Sequence, residues 1–367
     1  MTSRREFIKD AAGTLAGIAF TSCCLLDARH AHAQGKPAGK RPQMVYKGKR
    51  VKTIDIHAHC LIQEALALLG EEASKIFPPT KGAKEHIINV EERLRARDEQ
   101  GIDLEVLSIN PFWYRRERDL AAEICKIQNE KLAELCASHP DRFAAFASLT
   151  LQSPELAVEQ LEHAVRKLGL KGAAIGASCA GEDFSDARFH SVWAKAEELG
   201  AVLFVHPQST PELAKRFKGN GWLSNVIGNP LDTTIALQKL IFEGTLDRFP
   251  GLKICAAHGG GYLGSYAPRS DHGCFISPQN CDPNIVLKKK PTEYLNQLYF
   301  DSLVFTPEAL RHLVAQVGAN RVVIGTDHPI PWNETPVQHV LGTPSLTDAQ
   351  RAAILGGNAA RLLGIKA

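Results

Sequence analysis

Between Val51 and Asp327, short apolar runs alternate with stretches of helical periodicity eight times, and few architectures accommodate that pattern. Strands that each feed a helix lie parallel, with the helices covering the sheet. Eight such units close into a barrel, so the expected fold is α/β, a (β/α)8 TIM barrel occupying 51–367 as one domain. A doubly wound open sheet is the alternative, but no Gly-x-Gly-x-x-Gly follows the first strand.

In order, the strands are expected at Val51–Ile56, Leu104–Ile109, Arg142–Ala147 and Gly172–Gly176, then in runs ending at His206, His258, Asp301 and Asp327. Helices are expected at Glu91–Gln100, Asp119–Ser138, Pro154–Leu168, Ala187–Leu199, Thr233–Glu243 and Pro307–Val317. Residues 61–90, which contain Pro78-Pro79, read as a long irregular excursion on the active face.

In such a barrel the chemistry sits at the C-terminal ends of the strands. Ile54-Asp55-Ile56-His57-Ala58-His59 ends in two imidazoles that share one face of a strand. The runs 201–206, 252–258 and 321–327 stop at His206, His258 and Asp327. Three neutral imidazoles and one carboxylate suit a divalent ion, so His57, His59, His206 and Asp327 are the expected ligands of Zn²⁺, with Mn²⁺ or Fe²⁺ as alternatives. Such a site keeps an open position for water or a substrate oxygen. His258 is the expected general acid/base, with Asp327 sharing protons, and Gly259-Gly260-Gly261 lets the backbone pass close to a neighbour.

The ends of the chain have a different character. Ser3-Arg4-Arg5-Glu6-Phe7-Ile8-Lys9, an apolar stretch from Ala11 to Leu26 and Ala31-His32-Ala33 read as a twin-arginine signal peptide over 1–33, implying export to the periplasm. That stretch is too short for a stable membrane span, and 34–50 reads as a flexible lead-in. A formal charge of +3 with no long block of one sign argues against nucleic acid as a partner. Of nine cysteines two fall in the leader; the remaining odd number is no disulfide framework, and whether Cys274 and Cys281 pair is left open by the sequence.

The motifs DIHAH (55–59), DEQGID (98–103), FVHP (204–207), LKICAAHGGG (252–261), YFDSLVF (299–305), VVIGTDHPIPW (322–332) and GNAARLLGI (357–365) resemble the amidohydrolase superfamily. They are most similar to its amidohydrolase-related branch, which contains amino-carboxymuconate-semialdehyde decarboxylase. The resemblance implies a metal-dependent hydrolase type of barrel, one divalent metal, commonly zinc, and a homodimer. It also matches Arg269 to an arginine that reaches a substrate carboxylate, in part across the dimer interface, as a bidentate guanidinium is suited to do. A second such arginine has no clear counterpart; Lys81 falls near its place. Phe112-Trp113-Tyr114 and Trp332 would stack on an aromatic acid, with Trp113 as a substrate-binding residue. Lys171 lies at the wrong end of its strand to bridge two metals, which disfavours a two-metal hydrolase.

The expected function is thus a carboxy-lyase acting without an organic cofactor on a small aromatic or unsaturated carboxylic acid. A lactonase or amidase of the same fold is the alternative, and a non-catalytic binding protein a third reading.

Overall fold

Every residue of Ile54–His59 is apolar, or polar with a buried partner, so this first barrel strand has no face to give to solvent; all six are buried. The computed structural model describes residues 42–76, 81–82 and 88–366 of the 367, and the leader lies outside them. Strand β1 (Ile54–His59) pairs parallel with β2 (Leu104–Ser108), and β2 with β3 (Phe143–Ala145). The remaining strands β4 (Gly172–Ile175), β5 (Val202–Val205), β6 (Lys253–Ala256), β7 (Leu298–Asp301) and β8 (Val322–Val323) form a second parallel set in that order. Parallel bridges from Ala147 to Ala173 and from Asp55 to Ile324 join the two sets at both seams, which closes the barrel. Ala256 lies beside Val205 on one flank and Phe300 on the other, so these strands end at one level.

The outer ring is α1 (Val90–Gln100), α2 (Arg118–Ser138), α3 (Pro154–Arg166), α4 (His190–Leu199), α5 (Asn229–Phe242), α6 (Leu263–Ile276) and α7 (Pro307–Val317). Asn89 caps α1 by accepting the Glu92 amide, and Gly101 ends it in the left-handed conformation that glycine adopts without strain. Alternate strand residues, among them Ile54, Ile56, Leu104, Val106, Phe146, Val202 and Phe204, fill the barrel; a larger apolar cluster lies between strands and helices.

A register shift between Asp55 and Ala58 breaks the alternation in β1. Ile54 and Ile56 belong to the interior cluster, yet His57 beyond them contacts Phe204 of β5 and His206 just after it. Such irregularities re-aim side chains beside active sites.

Two expectations need correction. The end of the supposed lead-in is a hairpin, Val45–Tyr46 against Lys49–Arg50, because Lys47 and Gly48 both take the positive φ (50° and 75°) of a tight hairpin turn. The excursion after β1 also carries a short helix at Gln63–Ala67 and a 3-10 turn at Gly70–Lys75. Cys274 and Cys281 form a disulfide at the end of α6. Among the described residues no helix is long and apolar enough to cross a membrane.

Candidate active site

Strand ends of β1, β5 and β8 bring His57, His59, His206 and Asp327 together, all buried, with one ligand atom from each within 4.8 Å of the others. His57 Nε2 and His59 Nε2 are 3.0 Å apart, and Asp327 Oδ1 lies 3.2 Å and 2.9 Å from them. His206 Nε2 is 4.0 Å from the same oxygen.

The surrounding hydrogen bonds show what these nitrogens carry. His57 Nδ1 donates to Asp301 Oδ2 at 2.6 Å, which leaves Nε2 as a lone pair. The Ser108 hydroxyl donates to the Ala58 carbonyl (3.2 Å) and accepts from His59 Nδ1 (3.0 Å), so His59 Nε2 is a lone pair as well. Both ring nitrogens of His206 are buried without a partner. Three imidazole lone pairs and a carboxylate pointing at one spot repel one another unless a cation stands between them, so the residues fit a divalent ion. Electrostatics agree. Burial alone would depress His57, but Asp327 and Asp301 overcome it and push it up to about 10, so that without a cation the Nε2 lone pair takes up a proton instead. Burial and the neighbouring imidazoles hold His206 well below its usual value; Asp327, despite burial, is held low by His57, His258 and His59. The site is built for positive charge.

Asp301, at the end of β7, was the residue whose role the sequence did not reveal. Its Oδ2 accepts from His57 and from the His258 amide (2.9 Å), while Oδ1 accepts from the amides of Gly259 (2.9 Å) and Leu303 (3.1 Å). One buried carboxylate therefore orients a metal ligand and fixes the segment carrying the acid/base candidate, the usual work of the shell behind a metal site. His258 stands beside the ligands, its Nε2 3.7 Å from Asp327 Oδ2. Both His258 (φ 55°) and Asp327 (φ 61°) sit in the left-handed region, strain typical of residues held for function. The glycines after His258 are required: a Cβ on Gly260 would come within 2.6 Å of the Phe300 ring, and one on Gly261 would strike the Pro230 carbonyl.

Behind β1 and β2 lies a buried charge network. Arg93 binds both carboxylate oxygens of Glu105 (2.7 and 3.2 Å) and donates to the His59 carbonyl at 2.9 Å. Arg97 pairs with Asp55 and lies 2.9 Å from Glu105. Asp55 in turn accepts from the His57 amide (3.0 Å) and the Thr326 hydroxyl (2.5 Å), which ties β1 to β8. Against the cost of burial, the two arginines pull Glu105 down to about 2.

A cavity of about 110 Å³ opens beside His258, walled by Pro230, Leu303, Phe305 and Trp332. Trp332 stacks on Trp222 (centroids 5.8 Å apart, 13° between planes) and meets Phe305 edge-on. Trp332 is thus where an aromatic wall was expected. Trp113 is not: it is fully buried in the core, with its indole N–H bonded to the Leu149 carbonyl at 2.8 Å, and it lines no described cavity. Phe112 and Tyr114 line a cavity while Trp113 between them turns into the core, an orientation set by the loop and turn that carry them. Arg269 lies on α6, exposed, and does not line the cavity beside His258. Lys81 lines a different cavity, with Arg97, Gln100 and His328.

A closed parallel barrel with a three-histidine, one-aspartate centre at its strand ends defines a mononuclear metal-dependent enzyme of the amidohydrolase type. The chain belongs to the Amidohydrolase (Amidohydro_2) family, whose model matches residues 54–365. It is 32% identical over 276 residues to 2-amino-3-carboxymuconate-6-semialdehyde decarboxylase of Dictyostelium discoideum, covering 74% of this chain and 76% of that protein. It is 30% identical over 286 residues to gamma-resorcylate decarboxylase of Rhodococcus jostii (strain RHA1), covering 74% and 86%. Among solved structures, the dihydroxybenzoic acid decarboxylase of Polaromonas sp. JS666 with bound manganese and 2-nitroresorcinol matches with a TM-score of 0.75 and 27% identity, covering 86% and 97%.

Proposed function

We propose that the protein is a metal-dependent, non-oxidative decarboxylase of a small aromatic carboxylic acid. The observation that carries this reading is the placing of His258 between the metal centre and an apolar, aromatic-walled cavity, in a chain whose relatives are named as decarboxylases. The divalent ion, held by His57, His59, His206 and Asp327, would supply Lewis acidity toward the substrate's oxygens. Trp332 and Phe305 hold the ring against His258 and keep water from it. As the bond from ring carbon to carboxylate breaks, its electron pair stays on the carbon, CO₂ leaves, and the carbon takes a proton from the His258 side. Asp327 Oδ2 lies 3.7 Å from His258 Nε2 and orients that imidazole for the transfer. The test is CO₂ release from a panel of hydroxylated benzoic acids by metal-loaded protein, with His258→Ala as control. Release abolished in the variant is the expected result. Cleavage of esters or lactones without CO₂ would replace this reading with the hydrolase.

Three imidazoles and a carboxylate favour Zn²⁺, while the manganese of the Polaromonas structure makes Mn²⁺ the competing occupant. Metal analysis of protein purified without added metal decides between them. We further propose a homodimer built on α6, where Tyr266, Arg269 and Ile276 share an exposed stripe that would present Arg269 to the partner's substrate. Sedimentation at micromolar concentration tests it, a monomer being the contrary result. Export by the twin-arginine machinery to the periplasm is supported by the leader and by the Cys274–Cys281 disulfide, which persists in oxidising compartments. Fractionation of cells, with Arg4→Lys and Arg5→Lys together retaining the protein inside, is the test.

A further inference from the structure

A second cavity, about 710 Å³, opens at the same end of the barrel, and neither the four ligands nor His258 lines it. Its walls come from the loops after β2, β4 and β5 and from α5, and include Phe112, Asp183, Thr210, Glu212 and Asp232. Its size falls within the range of small-molecule sites, roughly 300–1,000 Å³.

The chemistry of the wall is one-sided. Asp232 is only 8% exposed, and Oδ2 accepts the Gln208 amide at 2.9 Å. Its other oxygen has no hydrogen-bond partner, and no arginine, lysine or histidine pairs with it among the described residues. Burial, then Glu212 and Asp183, raise Asp232 to about 6 against the pull of that one amide. Thr210 is 5% exposed, and its hydroxyl is buried without a partner. Asp183 is matched by Lys239 at 3.4 Å, and the one basic side chain on the wall is the exposed Arg115. The Thr210 hydroxyl is costly to leave buried and unpaired, and Asp232 keeps one oxygen free to accept at the cavity wall. An incoming anion would face Asp232 and Glu212 and gain little from a solvated arginine at the rim, whereas an ammonium group brings both the missing charge and several donors.

We propose that this cavity is a second ligand site, separate from the metal centre, for a small organic cation: a protonated amine on an aromatic or apolar body. The ammonium donates to Asp232 and Thr210, and the body packs on Phe112. This assignment does not rest on decarboxylation, and its test does not measure turnover.

Benzylamine is titrated calorimetrically into the metal-loaded full chain, with benzyl alcohol as the neutral match. Saturable binding of one benzylamine per chain is expected, at least tenfold tighter than benzyl alcohol, as a charge-assisted hydrogen bond warrants. Asp232→Asn should weaken it roughly tenfold and Thr210→Val by a smaller factor, metal content being unchanged in both. Thr210→Val leaves the bond between Asp232 and Gln208 intact, so it carries the test if Asp232→Asn loses thermal stability. Equal binding of benzylamine and benzyl alcohol, no saturation, or affinity untouched by both substitutions would overturn the assignment.

Discussion

Asp301→Asn is the substitution that separates orientation of the metal ligands from mere structural support. The two side chains have nearly the same shape, so the change removes a charge and half of the acceptors. Asp301 now takes four donors, His57 Nδ1 and the His258 amide on Oδ2, and the amides of Gly259 and Leu303 on Oδ1. An asparagine can turn its carbonyl toward one pair only; its NH₂ then faces the two donors of the other. Each lost hydrogen bond costs about 1 kcal/mol, and a charged partner up to about 3 kcal/mol, so the total is roughly 2–4 kcal/mol. Part of this appears as lost stability and part as weaker metal binding, for which a change of this kind costs roughly 10–100-fold in affinity. The assay is competition for metal with a chromogenic chelator at fixed pH, alongside thermal melts with and without metal. A metal Kd within twofold of the parent, with the melting temperature lowered equally in both melts, would refute a ligand-orienting role for Asp301.

Glu105→Gln should destabilise the fold by about 3–5 kcal/mol near neutral pH, because Arg93 and Arg97 are left charged and buried without their shared partner. Glu105 is held at about 2 against an ordinary 4.5, so the stability it contributes is full above 4.5 and is lost as pH falls toward 2; the gap in melting temperature between parent and variant should narrow over that window. Trp113→Ala and Trp332→Ala should behave oppositely. The first empties a core site and costs about 3–5 kcal/mol in denaturant melts; the second leaves stability within about 1 kcal/mol and raises KM. Chelation should abolish turnover and lower the melting temperature. At free metal a thousandfold above Kd, restored metal stabilises by about 4 kcal/mol, and His206→Ala should blunt that response.

The metal centre was legible because barrel geometry collects strand ends, and His57, His59, His206 and Asp327 each close an apolar run. Asp301 closes one too, but its work lies in which atoms face it, and that depends on the turn at Gly259 and the register of β6 against β7. Trp113 shows the same limit. A residue's nearness to a strand end is visible in the sequence, whereas the side it faces is set by the course of the loop that follows. Arg93, Arg97, Asp55 and Glu105 read as ordinary charges, since Arg93 meets Glu105 12 positions away and Arg97 meets Asp55 42 positions away only when α1 docks on β1 and β2.

The three histidine ligands are not held alike, and this follows from their strands. His57 is fixed by a carboxylate at the end of β7, two strands away, and His59 by a hydroxyl at the end of the adjacent β2. His206 has no hydrogen bond on either ring nitrogen and is placed by packing against the rings of His59 (4.5 Å), His57 (5.0 Å) and His258 (5.2 Å). A charged anchor raises the basicity of the imidazole it holds, a neutral one less so, and packing not at all. The centre therefore grades from a strong donor at β1 to a weak one at β5. His258 stands between the two, its ring 5.1 Å from that of His57 and 5.2 Å from that of His206, so both the strongly and the weakly held ligand face the acid/base candidate.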